Sequence, residues 1–384
     1  MKKRFIKWLV LPALLFIVFS CSNSNKTVFT DTVAAIDDAA FNQTIDDQPV
    51  ALYTLTNNSG MGMKVTNFGG RVVALCVPDS HGNPVDVVLG YNTLDEYVNQ
   101  PENFLGAAIG RYGNRIGGAQ FSIDETVYEL SKNEGNNQLH GGAKGFFDVV
   151  WKANQLSQSA IEFTYLSIDG EEGYPGNLSV KMMYELTPEN GFKITYEAST
   201  DKTTVCNLTH HSYFNLSGEG SETINDHLLS IRADGFTPVD SVLIPNGQIT
   251  PVNGTAFDFN QAIAIGTRVN EDDEQLGYGA GYDHNWVLNK ESKGVELVAS
   301  LYSPISKIKM DVLTDQPGLQ FYGGNFIDGT LTGKSGKTYK HRSAVCLETQ
   351  HFPDSPNKAN FPSTLLKPDQ TYSHTCEYRF SVEK

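Results

Sequence analysis

The sequence predicts an all-β fold, a large antiparallel β-sandwich of many strands. Apolar and polar residues alternate one by one along several segments, and turns that contain Gly or Asn, such as residues 175–177 and 189–191, separate these segments. No apolar pattern with the helical period of about 3.6 residues persists beyond a short turn or two. No Pro/Ser-rich linker follows the first fifty residues, so we expect one large β domain.

The individual strands follow from the alternation in chain order. Ile161, Phe163 and Tyr165 alternate with Glu162 and Thr164. The same pattern recurs in residues 178–186, 192–198, 295–301 and 308–312. Alternation of this kind is typical of strands with one buried and one solvated face, as in the sheets of a sandwich.

Composition restricts the class of protein and its partners. The chain has 384 residues, of which 40% are hydrophobic and 19% charged, so disorder and coiled coil are not expected. Its 29 Lys and Arg against 44 Asp and Glu give a net charge of -15. An acidic surface repels phosphate backbones, and no nucleic-acid partner is expected.

The N-terminus resembles a targeting signal. Residues 1–7 are basic, and residues 8–19 form an apolar run that is too short to span a bilayer but typical of a secretory signal peptide. Ser20-Cys21 follows, similar to the lipobox of bacterial lipoproteins, although Phe19 stands where a small residue is more usual. We expect a signal peptide at 1–20 and lipidation of Cys21. An ordinary signal peptide or a plain membrane anchor remains an alternative.

The segment that follows is expected to be a tether. Residues 21–47 are rich in Ser, Asn, Thr, Asp and Ala without a sustained period, and the β domain is predicted at 48–384. The protein is therefore expected to be exported, anchored by lipid to a bacterial membrane, and to face the periplasm or the cell surface. Contact with the membrane is expected through this lipid anchor only.

Four cysteines lie beyond Cys21. They are Cys76, Cys206, Cys346 and Cys376, and no pair has CxxC spacing, so a structural zinc site is not expected. An exported protein can pair its cysteines, but Cys76, Cys206 and Cys346 lie in apolar strand-like runs. Buried free thiols are therefore predicted.

Two clusters of polar residues in the first half of the chain interrupt the alternation. Asn114 and Arg115, within residues 110–116, offer an amide and a guanidinium fork suited to neighbouring sugar hydroxyls. A turn with two exposed arginines is the alternative interpretation of this segment. His140 precedes two glycines, which allow the backbone to approach a ligand closely. A turn histidine is the alternative.

Residues 207–216 contain two adjacent histidines. On a strand His211 shares a face with Tyr213, whereas His210 points to the opposite side. Since adjacent strand residues diverge, a metal shared by both is not expected. We predict that one histidine faces a cleft and that the other has a structural role.

Three further polar residues lie in the second half of the chain. Asp283 lies within residues 281–286, and Gln320 opens a segment whose aromatic residues would form a wall for stacking a sugar. Glu348 shares a strand face with Cys346 inside an apolar run. A carboxylate in such surroundings must be paired, hydrogen-bonded or functional.

Together these segments resemble the aldose 1-epimerase (galactose mutarotase) family, from about residue 67 to the end of the chain. The segments that carry the resemblance are residues 67–70, 86–91, 110–116, 139–142, 169–178, 211–216, 281–285, 317–322 and 347–354. The resemblance implies a β-sandwich of the galactose mutarotase type and interconversion of α and β anomers without a cofactor. It also implies that Glu348 is the general base, that His211 is the general acid, and that five residues hold the sugar hydroxyls: Asn114, Arg115, His140, Asp283 and Gln320.

The sequence departs from the family pattern at two places. His210 stands where Asn usually precedes the catalytic histidine, and residues 306–309 lack a frequent Gly-Arg pair. Neither change removes the acid or the base. A second imidazolium at His210 would lower the pKa of His211.

The chemistry of mutarotation is consistent with this assignment. Ring opening needs a base for the C1 hydroxyl and an acid for the ring oxygen, placed about a sugar ring's width apart, and His211 is expected to have a pKa near neutrality. No metal is expected, and the sequence has no Walker or dinucleotide glycine motif. The expected partner is a monosaccharide, and the protein is expected to be a monomer or weak dimer.

Two other functions remain open at the level of sequence. A non-catalytic surface lipoprotein that binds carbohydrate would use the same polar and aromatic groups without needing the pair of Glu348 and His211. A glycoside hydrolase, less favoured, would use Asp283 and Glu348 as its two carboxylates.

Overall fold

The computed structural model describes Met1 and residues 36–383, and within them β-strands dominate. In chain order these strands are β1 (Gln43–Ile45), β2 (Gln48–Val50), β3 (Leu52–Thr56), β4 (Gly62–Thr66), β5 (Val72–Pro78), β6 (Pro84–Asp86), β7 (Ala107–Ile109), β8 (Arg115–Ile116), β9 (Gln120–Ile123), β10 (Thr126–Glu129), β11 (Gln138–Leu139), β12 (Lys152–Gln155), β13 (Ala160–Ser167), β14 (Leu178–Leu186), β15 (Gly191–Thr200), β16 (Thr204–Val205), β17 (Thr209–His211), β18 (Leu228–Ile231), β19 (Gly235–Thr237), β20 (Thr250–Pro251), β21 (Ile263–Ala264), β22 (Asp283–Val287), β23 (Glu296–Tyr302), β24 (Ile308–Thr314), β25 (Gly318–Tyr322), β26 (Cys346–Gln350), β27 (Leu365–Leu366) and β28 (Tyr372–Val382).

Helices in the described residues are short. The two α-helices are α1 (Leu94–Asn99) and α2 (Glu274–Gly279). The 3₁₀ turns are Asp38–Phe41, Gly117–Ala119, Phe146–Asp148, Glu171–Gly173, Ile265–Thr267 and Ser355–Asn357. Among these residues no helix has the length and apolar character needed to cross a bilayer.

Three sheets of four strands or more form the body of the molecule. The nine-stranded sheet has the order β12-β13-β14-β15-β28-β24-β23-β18-β21, the five-stranded sheet β20-β19-β22-β25-β26, and the four-stranded sheet β3-β4-β5-β6. Neighbouring strands in all three pair antiparallel. This confirms the predicted antiparallel all-β architecture.

The main hydrophobic core lies where these sheets face one another. It combines Met182 and Ile194 of the nine-stranded sheet with Leu75 of the four-stranded sheet and Phe321 of the five-stranded sheet. Because side chains alternate along a strand, β25 presents Leu319 and Phe321 to this core and leaves the residues between them on the opposite face. That opposite face carries the candidate site.

The alternating segments found in the sequence coincide with strands. Residues 161–165, 178–186 and 192–198 lie in β13, β14 and β15, and residues 308–312 lie in β24. Residues 295–301 begin one position before β23, which is irregular between Leu297 and Ala299. The prediction of long amphipathic strands is therefore confirmed.

The N-terminal part of the described chain differs from the expected tether. Residues 36–47 form the 3₁₀ turn Asp38–Phe41 and the strand β1, which pairs with β2. Phe41 is fully buried, with its ring 6.2 Å from that of Tyr97, and Ile36 is also buried. The packed domain therefore starts by Ile36 rather than at residue 48, because these apolar side chains have a core to enter. The predicted signal peptide, the lipidation site Cys21 and the rest of the tether lie outside the described residues.

The four cysteines in the described range are free and buried, as predicted. Burial raises the pKa of all four thiols, so their unreactive, protonated form is favoured. Cys346 nevertheless lies in contact with a site histidine, which is described below.

Candidate active site

The site is built on one face of the five-stranded sheet. Strands β22, β25 and β26 place Asn285, Gln320 and Glu348 directly opposite one another in register. The next row on the same face consists of Asp283, Tyr322 and Cys346. Opposed side chains on neighbouring strands lie about 5 Å apart at Cβ, so this pairing alone gathers two carboxylates and two amides.

Glu348 is buried on this face of the sheet, with 1% of its surface exposed. Its Oε2 has no hydrogen-bond partner among residues 36–383. Burial raises the pKa of this carboxyl group well above its usual value, and nearby Asp283 raises it further, while Arg115 acts in the opposite direction. A buried carboxyl group with an unsatisfied oxygen and a raised proton affinity is suited to accepting a proton from a ligand.

His211 approaches Glu348 from the short strand β17. The side chain of Thr209 donates to the carbonyl of Thr349 at 2.9 Å, which ties β17 to β26. His211 Nε2 then lies 3.5 Å from Glu348 Oε1, and its Nδ1 lies 3.5 Å from Cys346 Sγ. His211 and Glu348, the predicted acid and base, are thus closer than the expected width of a sugar ring. This spacing suits their targets, because the hydroxyl oxygen and the ring oxygen are bonded to the same carbon.

Burial lowers the pKa of His211 to about 3, which differs from the expected value near neutrality. The cause is removal of the imidazolium from water, not a charge on His210. His210 is itself buried, and burial, with a smaller effect of His211, lowers its pKa to about 3. Its Nδ1 lies 3.2 Å from Tyr184 Oη and its Nε2 lies 2.7 Å from Ser212 Oγ. It therefore has the structural role predicted for one of the two histidines.

His140 is fixed by a reciprocal contact with Asn114. The His140 N–H donates to the Asn114 carbonyl, and the Asn114 N–H donates to His140 Nδ1, both at 3.1 Å. Since Nδ1 accepts, the neutral ring carries its proton on Nε2 and offers a donor. Burial lowers the pKa of His140 well below its usual value, with smaller contributions from His211 and Arg115, so the neutral form is favoured.

The glycine after His140 is required by close packing of the chain on itself. Gly141 has φ +90°, and a Cβ at this position would lie 1.9 Å from the carbonyl oxygen of Gly110. The backbone at Gly141 thus approaches Gly110 more closely than a residue with a Cβ could. This contact holds the loop that presents His140.

Arg115 connects the loop side of the site to the sheet. Its Nε and Nη2 donate to Glu134 at 2.8 and 2.6 Å, and its Nη1 lies 3.6 Å from Asp283 Oδ2. Asp283 Oδ1 also accepts from Gln320 Nε2 at 2.7 Å, and Gln320 Oε1 has no partner in the described part of the chain. Arg115 is buried, not exposed on a turn, and the group presents both donors and acceptors, as recognition of hydroxyl groups requires.

The carboxyl group of Asp283 has a raised pKa because burial outweighs the opposing effects of Arg115 and Gln320. Burial lowers the pKa of Arg115, but Asp283 and Glu134 more than compensate and raise it. Arg115 is thus held as a cation between two carboxyl groups. Asp283 is engaged by these partners, which suits it to hold a hydroxyl group and not to act as the second carboxylate of a hydrolase.

His140, His211 and Glu348 converge, with one potential ligand atom of each within 4.8 Å of the others. Such a trio has the residue types of a metal site. However, His140 Nδ1 accepts a backbone N–H, which places the ring proton on Nε2 and leaves that atom without a lone pair for a cation. The trio is therefore better suited to the oxygen atoms of a sugar than to a metal ion.

The structure thus brings together all seven predicted site residues and adds others that the sequence did not single out. Glu134 is the carboxylate that holds Arg115. Phe104 packs against two of the predicted site histidines, and its ring centroid lies 4.7 Å from that of His140 and 5.7 Å from that of His211. Glu134 lies in a polar turn and Phe104 follows an irregular segment, and neither has a local pattern that marks it.

Two surface cavities lie elsewhere. One of about 640 Å³ is lined by residues around Ser363–Ser373, and one of about 610 Å³ lies on the outer strands of the nine-stranded sheet. Neither is lined by any of the seven predicted residues. Convergent chemistry, and not cavity size, therefore identifies the candidate site.

Comparison with known proteins agrees with this geometry. The aldose 1-epimerase family model matches residues 51–379. Galactose mutarotase from Bos taurus is 46% identical over 318 residues, which cover 83% of this chain and 90% of that protein. Aldose 1-epimerase from Escherichia coli is 38% identical over 340 residues, covering 88% and 97%. The solved structure of galactose 1-epimerase from Lactobacillus acidophilus matches with a TM-score of 0.79 and 30% identity, covering 89% of this chain and 97% of that one. The matched region contains all seven site residues.

Proposed function

Because the chain belongs to the aldose 1-epimerase family and interconverts the α and β anomers of free aldohexoses such as glucose and galactose, we propose that Glu348 and His211 perform its two proton transfers. The observation that carries this proposal is the contact of 3.5 Å between His211 Nε2 and Glu348 Oε1 in a buried site. A base for the C1 hydroxyl and an acid for the ring oxygen are the groups that ring opening requires.

The reaction starts with Glu348 as carboxylate and His211 as imidazolium. Glu348 takes the proton of the C1 hydroxyl, His211 Nε2–H gives a proton to the ring oxygen, and the bond between C1 and that oxygen breaks. The product is the open-chain aldehyde, with Glu348 protonated and His211 neutral. Rotation about the bond between C1 and C2, followed by the reverse transfers, closes the ring as the other anomer.

Burial of the pair favours this opening step. Before the step the pair carries two opposite charges, and after it the pair is uncharged, while the sugar is neutral in both states. Burial raises the pKa of Glu348 and lowers that of His211, so both shifts favour the state with the open chain. Relative to the ion-pair state from which the step begins, the site therefore favours the open intermediate, and the same shifts make that ion pair the less populated state of the empty site.

Five residues are proposed to hold the sugar hydroxyls: Asn114, Arg115, His140, Asp283 and Gln320. Arg115 and His140 Nε2–H supply donors, whereas Asp283 and the unpartnered Gln320 Oε1 supply acceptors. A site that offers both donors and acceptors suits the hydroxyl groups of a monosaccharide. Which hydroxyl each residue binds decides the preference for glucose or galactose.

The test is polarimetry of freshly dissolved α-D-glucose and α-D-galactose, with the spontaneous rate in buffer subtracted. Glu348→Gln and His211→Asn are each expected to lower the enzymatic rate by about 10²–10⁴-fold, because each removes a proton-transfer group. The matched control is Glu197→Gln on the outer face of the nine-stranded sheet, where the carboxylate is half-exposed and pairs with Lys181. A wild-type protein that binds the sugars and leaves both rates at the buffer value would instead support a carbohydrate-binding lipoprotein.

We further propose that the protein is exported and attached to a membrane through lipid on Cys21. The support is the basic start, the apolar run and the cysteine of the first 21 residues. In a bacterial host, Cys21→Ser is expected to move the protein from the membrane fraction to a soluble fraction. An unchanged membrane fraction would contradict lipidation and favour a plain anchor. The protein is proposed to be a monomer or weak dimer, which size-exclusion chromatography tests.

A further inference from the structure

One exposed aromatic side chain at the edge of the site has no role in the scheme above. Phe326 follows β25 and has 56% of its surface exposed. Its neighbours Asn325 and Ile327 are buried, and Asn325 Nδ2 donates to the carbonyls of Gly279 and Tyr282 at 2.9 and 2.8 Å. The chain therefore holds this aromatic ring outward from an anchored segment instead of at a free loop tip.

Phe326 is linked to the catalytic histidine by a single intervening ring. Its backbone N–H donates to Tyr322 Oη at 2.9 Å, and the two rings stack with centroids 5.9 Å apart and planes inclined by 18°. The ring of Tyr322 lies 6.3 Å from that of His211. Tyr322 is buried and Phe326 is exposed, so this row of rings leads from the reacting centre to the surface.

Phe326 lies beyond the polar groups of the site, separated from His211 by the ring of Tyr322. The site residues are nearly fully buried, whereas Glu134 and Phe104, which contact them, are partly exposed and Phe326 is exposed. Phe326 has one ring face against Tyr322 and offers no hydrogen bond from its side chain. The C–H face of a pyranose is the part of a sugar that stacks on such a ring.

Resting on the proposed function, we propose that Phe326 forms a second subsite, on which a glycosyl unit attached to the reducing sugar stacks. The ligand class is a reducing disaccharide or longer saccharide whose reducing ring occupies the polar site. The five hydroxyl-binding residues select the reducing sugar ring. Phe326 selects the glycosyl unit that is attached to this ring. An exposed aromatic of this kind contributes little to a free monosaccharide.

The first test compares monosaccharide with disaccharide turnover. For Phe326→Ala, kcat/KM for maltose and cellobiose is expected to fall by about fivefold or more, as for loss of one aromatic contact, while kcat/KM for glucose stays within about twofold of wild type. Phe326→Trp is expected to restore the disaccharide value. The control is Ile305→Ala, which truncates an exposed apolar side chain in the loop between β23 and β24. Equal losses on both sugar classes, or no loss on either, would overturn the subsite.

A second test separates the subsite from the catalytic assignment. In the Glu348→Gln background, calorimetry gives the ratio of the dissociation constants for glucose and maltose without turnover. Adding Phe326→Ala is expected to raise the dissociation constant for maltose by about fivefold or more and to leave that for glucose unchanged. An unchanged ratio overturns the subsite whatever the activity of the wild type. An inactive wild type with a changed ratio overturns the proposed function alone.

Discussion

Burial changes the proton affinities of Glu348 and His211 in opposite directions, and this is the main property of the site at the scale of single residues. The carboxyl group gains affinity for a proton and the imidazole loses it. An isolated histidine would titrate near pH 6.5. In the proposed mechanism the two groups form a pair that works with one proton between them.

The pH dependence of the reaction follows from these directions. Burial lowers the pKa of His211 to about 3 and so opposes the binding of a second proton to the pair. The loss of activity at acid pH is therefore expected far below the pH at which an ordinary histidine titrates. Activity at alkaline pH is lost when the pair gives up its single proton, and the raised pKa of Glu348 shifts this loss to higher pH. We expect kcat/KM for α-D-glucose to be constant from about pH 5 to about pH 7.

Polarimetry across this range checks the expectation, with the buffer rate subtracted at each pH and Glu348→Gln measured in parallel. A bend near pH 6.5 in the wild type would mean that His211 titrates as a solvated histidine. It would contradict the role of burial in the opening step.

Sequence reasoning predicted an acid, a base and five binding residues from several ordered segments of polar residues, and the structure brings these seven residues together. It did not identify Glu134 or the contact of Cys346 with His211. That contact joins residues 135 positions apart in the chain and depends on how β17 docks beside β26. The expected pKa of His211 was wrong for the same reason, since the degree of burial is a property of packing and not of the local sequence.

At the scale of elements, short strands and tight turns place the site residues, whereas long strands form the scaffold. The long strands β13, β14 and β15 were predictable because alternation over eight or more residues is a strong signal. The elements β8, β11 and β17, which place Arg115, His140 and His211, have only two or three residues. Such segments are too short to show a period, and pairing with distant chain defines them.

A turn at this scale gives a matched pair of substitutions. Gly141 and Gly170 have nearly the same φ, +90° and +87°, but a Cβ at Gly141 would lie 1.9 Å from Gly110 O, whereas one at Gly170 has no described atom within 4 Å. Gly170→Ala is expected to cost about 1–2 kcal/mol of stability from backbone strain alone. Gly141→Ala is expected to destabilise more and to lower kcat/KM by at least about tenfold, because it displaces the His140 loop and its contact with substrate.

Thermal unfolding and polarimetry of both variants measure the two effects. Similar unfolding temperatures and similar rates for the two alanine variants would show that the close approach to Gly110 does not hold the loop. The account of how His140 is placed would then have to be abandoned.

At the scale of the whole molecule, the domain includes chain that looked like a tether. Residues 36–47 are polar in composition, and the sequence alone offered no reason to separate them from residues 21–35. The distinguishing feature is Phe41, which fills a gap beside Tyr97 of α1. A single apolar residue in a polar segment can be exposed or buried, and only the presence of a complementary surface decides between them.

Two shortened proteins test this boundary. A protein that starts at residue 36 is expected to keep the unfolding temperature and the mutarotation rate of the full domain. One that starts at residue 48 loses Ile36 and Phe41 and is expected to unfold at a temperature lower by about 5 °C or more, since removing a buried Phe costs about 3–5 kcal/mol. Phe41→Ala in the longer protein serves as the matched control. Equal unfolding temperatures for the two proteins would show that residues 36–47 do not stabilise the domain and that the domain starts at residue 48.

The fold as a whole brings His211 of β17 and Glu348 of β26 within 3.5 Å of each other, and we propose that they form a single proton-transfer unit. The most direct test is a double-mutant cycle of Glu348→Gln and His211→Asn, followed by polarimetry of α-D-glucose. We expect each single variant to lose about 10²–10⁴-fold and the double variant to be within about threefold of the slower single one, because either loss disables the same unit. If the two losses multiply, or if either single variant keeps most of the activity, Glu348 and His211 do not act as the coupled pair described above.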